Sequence, residues 1–281
     1  MKLFGKLLSL ALLLFLINAC TSTADNNETN TKESLNYGVF LSLEGEDAVK
    51  ASEGHETVVI DAQYLSKKEI SFMQERNQKV YSYLNVGSLE TFRPYYEEYK
   101  NLELKEYRNW ENEYWIDVSN KDWQDFIYLT LSKQLVEKGI DGFWVDNIDV
   151  YGQFPNEETY KGIEMILKNM MTYGKPVVLN SGNEFVEVYF RKNQQVDDIL
   201  TGVNQETVFS SIDFEKQTFG IQTTENQSYY LDYLNFIDEL DKDIYLLEYT
   251  TDEELIKKIE SYTEKRNWKF YISHSIELNA K

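Results

Sequence analysis

Cysteine, histidine and proline are almost missing from this chain, with one, two and three residues among 281. A lone cysteine, Cys20, excludes an internal disulfide framework and a thiolate-held zinc site. His55 and His274 lie far apart in sequence and form no metal-spaced pair. Basic residues are scarce too: 28 Lys and Arg stand against 48 Asp and Glu, for a formal charge of -20. No nucleic-acid partner is expected, because a phosphate backbone demands a positive footprint. The phosphate-cradling patterns GxGxxG and GxxxxGK are absent, as is the GxSxG nucleophile turn. No compact Asp-rich loop of calcium-binding spacing occurs. Neither a metal nor an organic cofactor is therefore expected.

Long hydrophobic runs are also lacking. The longest, residues 7–17, follows Lys2 and Lys6 and is too short to cross a bilayer comfortably. It has the form of a secretory signal. The sequence after it, Asn18-Ala19-Cys20, resembles the processing box of bacterial lipoproteins. The expectation is that residues 1–19 are removed and Cys20 becomes a lipidated first residue. The protein would then be exported and held by that lipid on the bacterial cell membrane or cell surface. Residues 20–36, polar and nearly free of apolar side chains, read as the lipidated N-terminus and a flexible tether. Residues 37–281 read as one folded domain.

Aromatic residues are abundant: 21 Tyr, 15 Phe and 5 Trp. From residue 37 onward, eight short β-rich runs recur: YGVFL (37–41), TVVID (57–61), KVYSYLNVG (79–87), GFWVDN (142–147), PVVLNSG (176–182), ILTGVNQ (199–205), DIYLLEYT (243–250) and KFYISHS (269–275). Several are continuously apolar, as expected when both faces of a sheet are covered. Between them, Asn120 caps an expected helix whose stripe is Trp123, Phe126, Ile127, Leu131 and Leu135. A second helix is expected over 157–171, with Tyr160, Ile163, Leu167 and Met170 inward. A third opens on a capping-box pattern at Thr251, with Leu255, Ile259 and Tyr262 buried. The fold class is α/β, a single (β/α)8 TIM barrel. Its first unit is irregular, since residues 42–56 leave little room for a full helix. An open doubly wound sheet is the rival, but it accounts poorly for eight evenly spread β segments. Long excursions follow the third and fourth strands, and the first of them carries a further β-like run, EYWIDV.

Polar residues collect where these runs end: Asp61, Asn85, Asp146, Asn147, Asp149, Asn180, Gln205, Glu206, Glu248 and His274. In a closed barrel all such ends surround one depression. Two carboxylates facing a sugar are the minimum for glycosidic cleavage, one to protonate the leaving oxygen and one to attack or activate water. Tyr83, Trp144, Tyr151, Phe209, Tyr249 and Tyr271 are candidate ring platforms.

The segments YSYLNVGSLETFRP (81–94), YWIDV (114–118), GIDGFWVDNIDVY (139–151), VLNSG (178–182), GVNQE (202–206) and LLEY (246–249), in that order, resemble glycoside hydrolase family 114. These are endo-α-1,4-polygalactosaminidases and related extracellular barrel proteins. The resemblance implies a (β/α)8 barrel acting on α-1,4-linked galactosamine-rich exopolysaccharide. It implies catalytic roles for Asp146 and Glu206. Of the two, Glu206 is favoured as general acid and Asp146 as its ionised partner, and the sequence leaves the reverse assignment open. Asp61, Asn147, Asp149, Asn180 and Glu248 match other polar positions around the family's cleft and are expected to position substrate; Tyr83, Gln205 and Tyr249 are expected to join them from their places at or near the strand ends. One departure is Ser181, where the family often has Asp. The acidic charge is consistent with a cationic, partly de-N-acetylated polymer as partner. A surface lipoprotein that binds glycan without cutting it is the alternative reading.

Overall fold

The computed structural model describes residues 35–76 and 78–279. The expected signal, Cys20 and most of the tether lie outside the described residues. All eight expected runs form strands: β1 Leu35–Phe40, β2 His55–Ile60, β3 Lys79–Asn85, β4 Gly142–Asp146, β5 Val177–Asn180, β6 Gly202–Glu206, β7 Asp243–Tyr249 and β8 Lys269–Ser273. They lie in chain order, each hydrogen-bonded in parallel to the next. β8 returns beside β1 without a ladder between them, so the sheet is a nearly closed barrel flanked by helices. β1 begins at Leu35, which pairs with His55, two residues before the expected start.

Strand alternation sorts the side chains. On β4, Phe143 and Val145 point outward to the helices, while Trp144 points inward. On β7, Ile244 and Leu246 face out, and Tyr245, Leu247 and Tyr249 face in. The barrel interior is built largely of rings: Tyr37, Tyr81, Tyr83, Trp144, Tyr245 and Tyr249 are all buried. Rings this large need small neighbours. Gly142 is paired with Tyr81, and a Cβ there would stand 2.8 Å from the Tyr81 ring.

The helices bear out the expected stripes, with Phe126 and Tyr262 only half-buried, and shift one start. Asn120 accepts hydrogen bonds from Asp122 N and Trp123 N, and the helical run continues through Lys138 to Gly139, whose φ of 100° ends it. Trp123, Ile127, Leu131 and Leu135 are buried at a spacing of four. That spacing drifts by about 40° per step on an α-helix. The run widens into π geometry over Phe126–Ser132, which offsets the drift and keeps the stripe on the sheet. The helix Glu157–Met171 is as expected. The last helix, Glu253–Glu264, is capped by Asp252 rather than Thr251, because a carboxylate is the stronger acceptor for Glu254 N and Leu255 N. The first connection holds a short helix, Gly45–Ala51.

Two excursions stand at the C-terminal ends of the strands. After β3 comes a three-stranded antiparallel sheet of Ser88–Glu90, Glu103–Glu106 and Glu113–Ile116, whose central strand is the expected EYWI segment. After β6 comes a hairpin, Ser210–Asp213 with Thr218–Ile221, which the sequence reading did not anticipate.

Candidate active site

Inward phase on β4, β5 and β6 brings Asp146, Asn180 and Glu206 to the barrel mouth. Asn180 Nδ2 donates to Asp146 Oδ1 and to Glu206 Oε1, at 2.8 Å each. Those two oxygens are therefore no farther apart than twice 2.8 Å. The two hydrogens of one amide diverge by about 120°, which sets the oxygens about 5 Å apart. Tyr249 Oη donates to Glu206 Oε2 at 2.8 Å.

The orientation of the Asn180 amide is fixed from below. An indole nitrogen is only a donor, so Trp144 Nε1 donates to Tyr37 Oη at 2.9 Å. The Tyr37 hydroxyl then gives its one hydrogen to Asn204 Oδ1 at 3.2 Å. Asn204 in turn presents Nδ2 to Asn180 Oδ1 at 2.8 Å. The Asn180 nitrogen is left facing the acids. A directional chain thus runs from the barrel floor to the carboxylate pair. Neither Tyr37 nor Asn204 was singled out from sequence, although both share the inward phase.

All three strands leave the site abruptly. Asn147, Ser181 and Thr207, the residues following Asp146, Asn180 and Glu206, have φ of 64°, 61° and 53°. Left-handed backbone is costly for a β-branched Thr, and such strain concentrates at functional sites.

The depression is a cleft of about 870 Å³. Of the expected residues, Asp61, Tyr83, Asp146, Asn147, Asp149, Asn180, Glu206 and Tyr249 line it. Asp61 is committed inside the protein: Oδ2 binds Arg93 Nη1 at 2.5 Å and Oδ1 accepts from Gln63 N at 3.1 Å. Asn147 donates to Ser88 Oγ and to Glu113 Oε1. Asp149 accepts from Gly182 N at 3.3 Å, tying the loop after β5 to that after β4.

Gln205 and Glu248 are corrections. Both occupy outward-facing positions, so neither lines the cleft. Gln205 Nε2 donates to Ser181 Oγ and Glu206 O. Glu248 is 0% exposed and accepts from Phe209 N, Ser210 N and Ser210 Oγ, bolting down the start of the hairpin. Among the candidate rings, Tyr83, Trp144 and Tyr249 line the cleft, whereas Tyr151, Phe209 and Tyr271 pack among aromatic neighbours away from it.

The excursions add what the strand ends could not. Glu90, Arg93, Tyr107, Trp110 and Glu113 come from the first, and Phe214 comes from the hairpin. Trp110 and Phe214 meet at 6.0 Å between ring centroids, joining the two excursions at the rim. Among the described residues, nine carboxylates line the cleft against one cation, Arg93. That guanidinium is buried and bound by Asp61 and by both oxygens of Glu90.

Desolvation dominates the electrostatics. Burial, opposed by the Asn180 hydrogen bond and reinforced by Glu206 and Glu113, pushes Asp146 up to about 8. Burial also raises Glu206, against the hydrogen bonds from Asn180 and Tyr249. Burial lifts Glu113 to about 7 and Asp149 to about 6. Both members of the pair are thus held above the ordinary carboxylate range, with burial the first cause in each.

The sequence profile of glycoside-hydrolase family GH114 matches residues 18–275. The glycoside hydrolase domain of PelA from Pseudomonas aeruginosa superposes with a TM-score of 0.73 at 14% identity, covering 87% of this chain and 96% of that one. Aspergillus fumigatus Ega3, in complex with galactosamine, gives 0.67 at 16% identity, covering 88% and 94%. TtGalA, an α-galactosidase from Thermus thermophilus, gives 0.55 at 10% identity, covering 85% and 57%. At these identities the likeness is one of fold. No curated protein sequence matches the chain.

Proposed function

The chain belongs to glycoside-hydrolase family GH114 and is an O-glycosyl hydrolase acting on polysaccharide; from that premise we propose that it cuts α-1,4-linked, galactosamine-containing exopolysaccharide within the chain, by paired-carboxylate chemistry. The observation that carries this reading is the single Asn180 amide held 2.8 Å from both Asp146 and Glu206 at the base of the cleft. A separation of about 5 Å leaves no space for a water between acid and sugar and favours double displacement. Asp146 attacks the anomeric carbon as Glu206 gives its proton to the departing glycosidic oxygen. Water then breaks the glycosyl ester, its proton passing to Glu206 and its hydroxyl to the sugar, and Asp146 is restored.

These roles need Asp146 ionised and Glu206 protonated. The elevation of Asp146 includes repulsion from Glu206 and Glu113, whereas that of Glu206 comes from burial alone. A protonated amino sugar in the cleft opposes the repulsion and displaces water. Relief of that repulsion favours the ionised form of Asp146. The excess of carboxylates over cations along the wall supports a cationic substrate. Tyr64, Phe92 and Trp110, all exposed on the lining, offer faces for successive sugar rings.

We place the enzyme outside the cell, anchored by lipid on Cys20. The support is the apolar run at 7–17 followed by Ala19-Cys20. One assay addresses both proposals: oligomer release from partly deacetylated α-1,4-galactosaminogalactan, read by mass spectrometry in membrane and medium fractions. Wild type is expected to release oligomers from the membrane fraction, and Asp146→Asn and Glu206→Gln to lose at least about 1,000-fold in rate. Cys20→Ser is expected to shift activity away from the membrane fraction. Full activity in either acid variant would overturn the paired-acid mechanism.

A further inference from the structure

Glu113 reaches the reaction centre from outside the barrel, on the excursion strand Glu113–Ile116. Its two oxygens are used unequally. Oε1 accepts from Asn147 Nδ2 at 3.0 Å, from Asn85 Nδ2 at 3.1 Å and from Ser88 Oγ. Oε2 receives no hydrogen bond among the described residues, yet it is not sealed away, and the side chain lines the cleft.

We propose that Glu113 Oε2 receives the protonated amine of a substrate galactosamine unit and so distinguishes an amino sugar from its N-acetylated counterpart. The inference rests on the amine-bearing substrate argued above. A carboxylate held through one oxygen by three donors is a fixed acceptor, and the lone pairs of its other oxygen still call for a donor. Among the described residues no cation is supplied for it: Arg93, the only basic side chain they place on the lining, is bound by Asp61 and Glu90. Location restricts which sugar is read. Asn147, which holds Glu113, directly follows Asp146, so the amine belongs to a unit at or beside the bond being cut. A purely structural tie between excursion and barrel needs Oε1 alone. Burial lifts Glu113 to about 7, and an ammonium at Oε2 opposes that lift by favouring the ionised form.

The test crosses a change in the protein with a change in the ligand. Glu113→Gln keeps an oxygen for the three donors and turns an uncharged amide toward the cleft. Initial rates at pH 7 are measured on an α-1,4-galactosamine oligomer and on its N-acetylated counterpart. Binding of both is measured by calorimetry to Glu206→Gln protein, with and without the Glu113 change. The KM for the free-amine oligomer is expected to rise roughly 10- to 100-fold, with kcat little changed and affinity for the N-acetylated oligomer preserved. Glu113→Asp, with the charge on a shorter stem, is expected to keep part of the amine preference. Equal losses on both ligands would reduce Glu113 to a structural tie and overturn the inference, as would equal affinity of the Glu206→Gln protein for the two ligands. If wild type cuts neither oligomer but binds the amine form through Glu113, the substrate reading fails and the inference stands.

Discussion

Tyr37 spends its one hydroxyl hydrogen on Asn204, and that hydrogen decides which way two amides point. Tyr37→Phe removes it. Asn204 is then free to turn, and Asn180 can present oxygen rather than nitrogen to the two acids. The expected result is a loss of about 1–2 kcal/mol in stability on urea unfolding. kcat is expected to fall about tenfold or more with KM little changed, and the pH-rate limbs to move. Unchanged pH-rate limbs would leave the Trp144–Tyr37–Asn204–Asn180 chain a packing feature only. At this scale the acids were legible and their neighbours only partly so. Asp146, Asn180 and Glu206 stand out as polar groups ending apolar runs. Gln205 and Glu248 stand out in the same way, but strand phase turns them outward. Counting in twos from Trp144 through the ladder would have excluded both and found Asn204.

Excursion and barrel meet closely at Gly87. A Cβ there would stand 1.8 Å from the carbonyl oxygen of Asn147, so Gly87→Ala must part the two segments that together hold Glu113. Destabilisation of roughly 1–3 kcal/mol is expected on urea unfolding, with activity lost beyond what the unfolded fraction explains. Wild-type activity and stability would show that the loops separate without consequence. The eight strands and the main helices were legible because apolar runs of strand length and stripes of helical spacing follow from burying one face or two. The hairpin after β6 was not. Residues 210–213 and 218–221 carry little apolar alternation, and the hairpin is anchored by Glu248 through contacts about 38 residues apart in sequence.

Across the whole molecule, the raised carboxylates set a direction for stability with pH. In the folded protein Asp146 sits at about 8, Glu113 and Glu248 at about 7 and Asp149 at about 6, with burial the first cause of each. Their unfolded values lie near 4, so between about pH 4 and 8 the native state binds more protons and stability falls as pH rises. The formal charge of -20 adds self-repulsion in the same direction. Tm is therefore expected to be several degrees higher at pH 5.5 than at pH 8, and Asp146→Asn is expected to flatten that slope. A Tm that rises over this interval would overturn the assignment of the raised carboxylates. By itself the sequence determined the barrel, because the period and number of its apolar runs leave few ways to bury them. It determined the acidic character of the protein and the two acids on β4 and β6, which end apolar strands where nothing in a core would require charge. Only the tertiary structure decided which polar strand ends face the cleft, that one amide spans both acids, and that Glu113 joins them from an excursion. Those facts depend on the register between strands and on contacts between segments distant in the chain, and no local pattern encodes either.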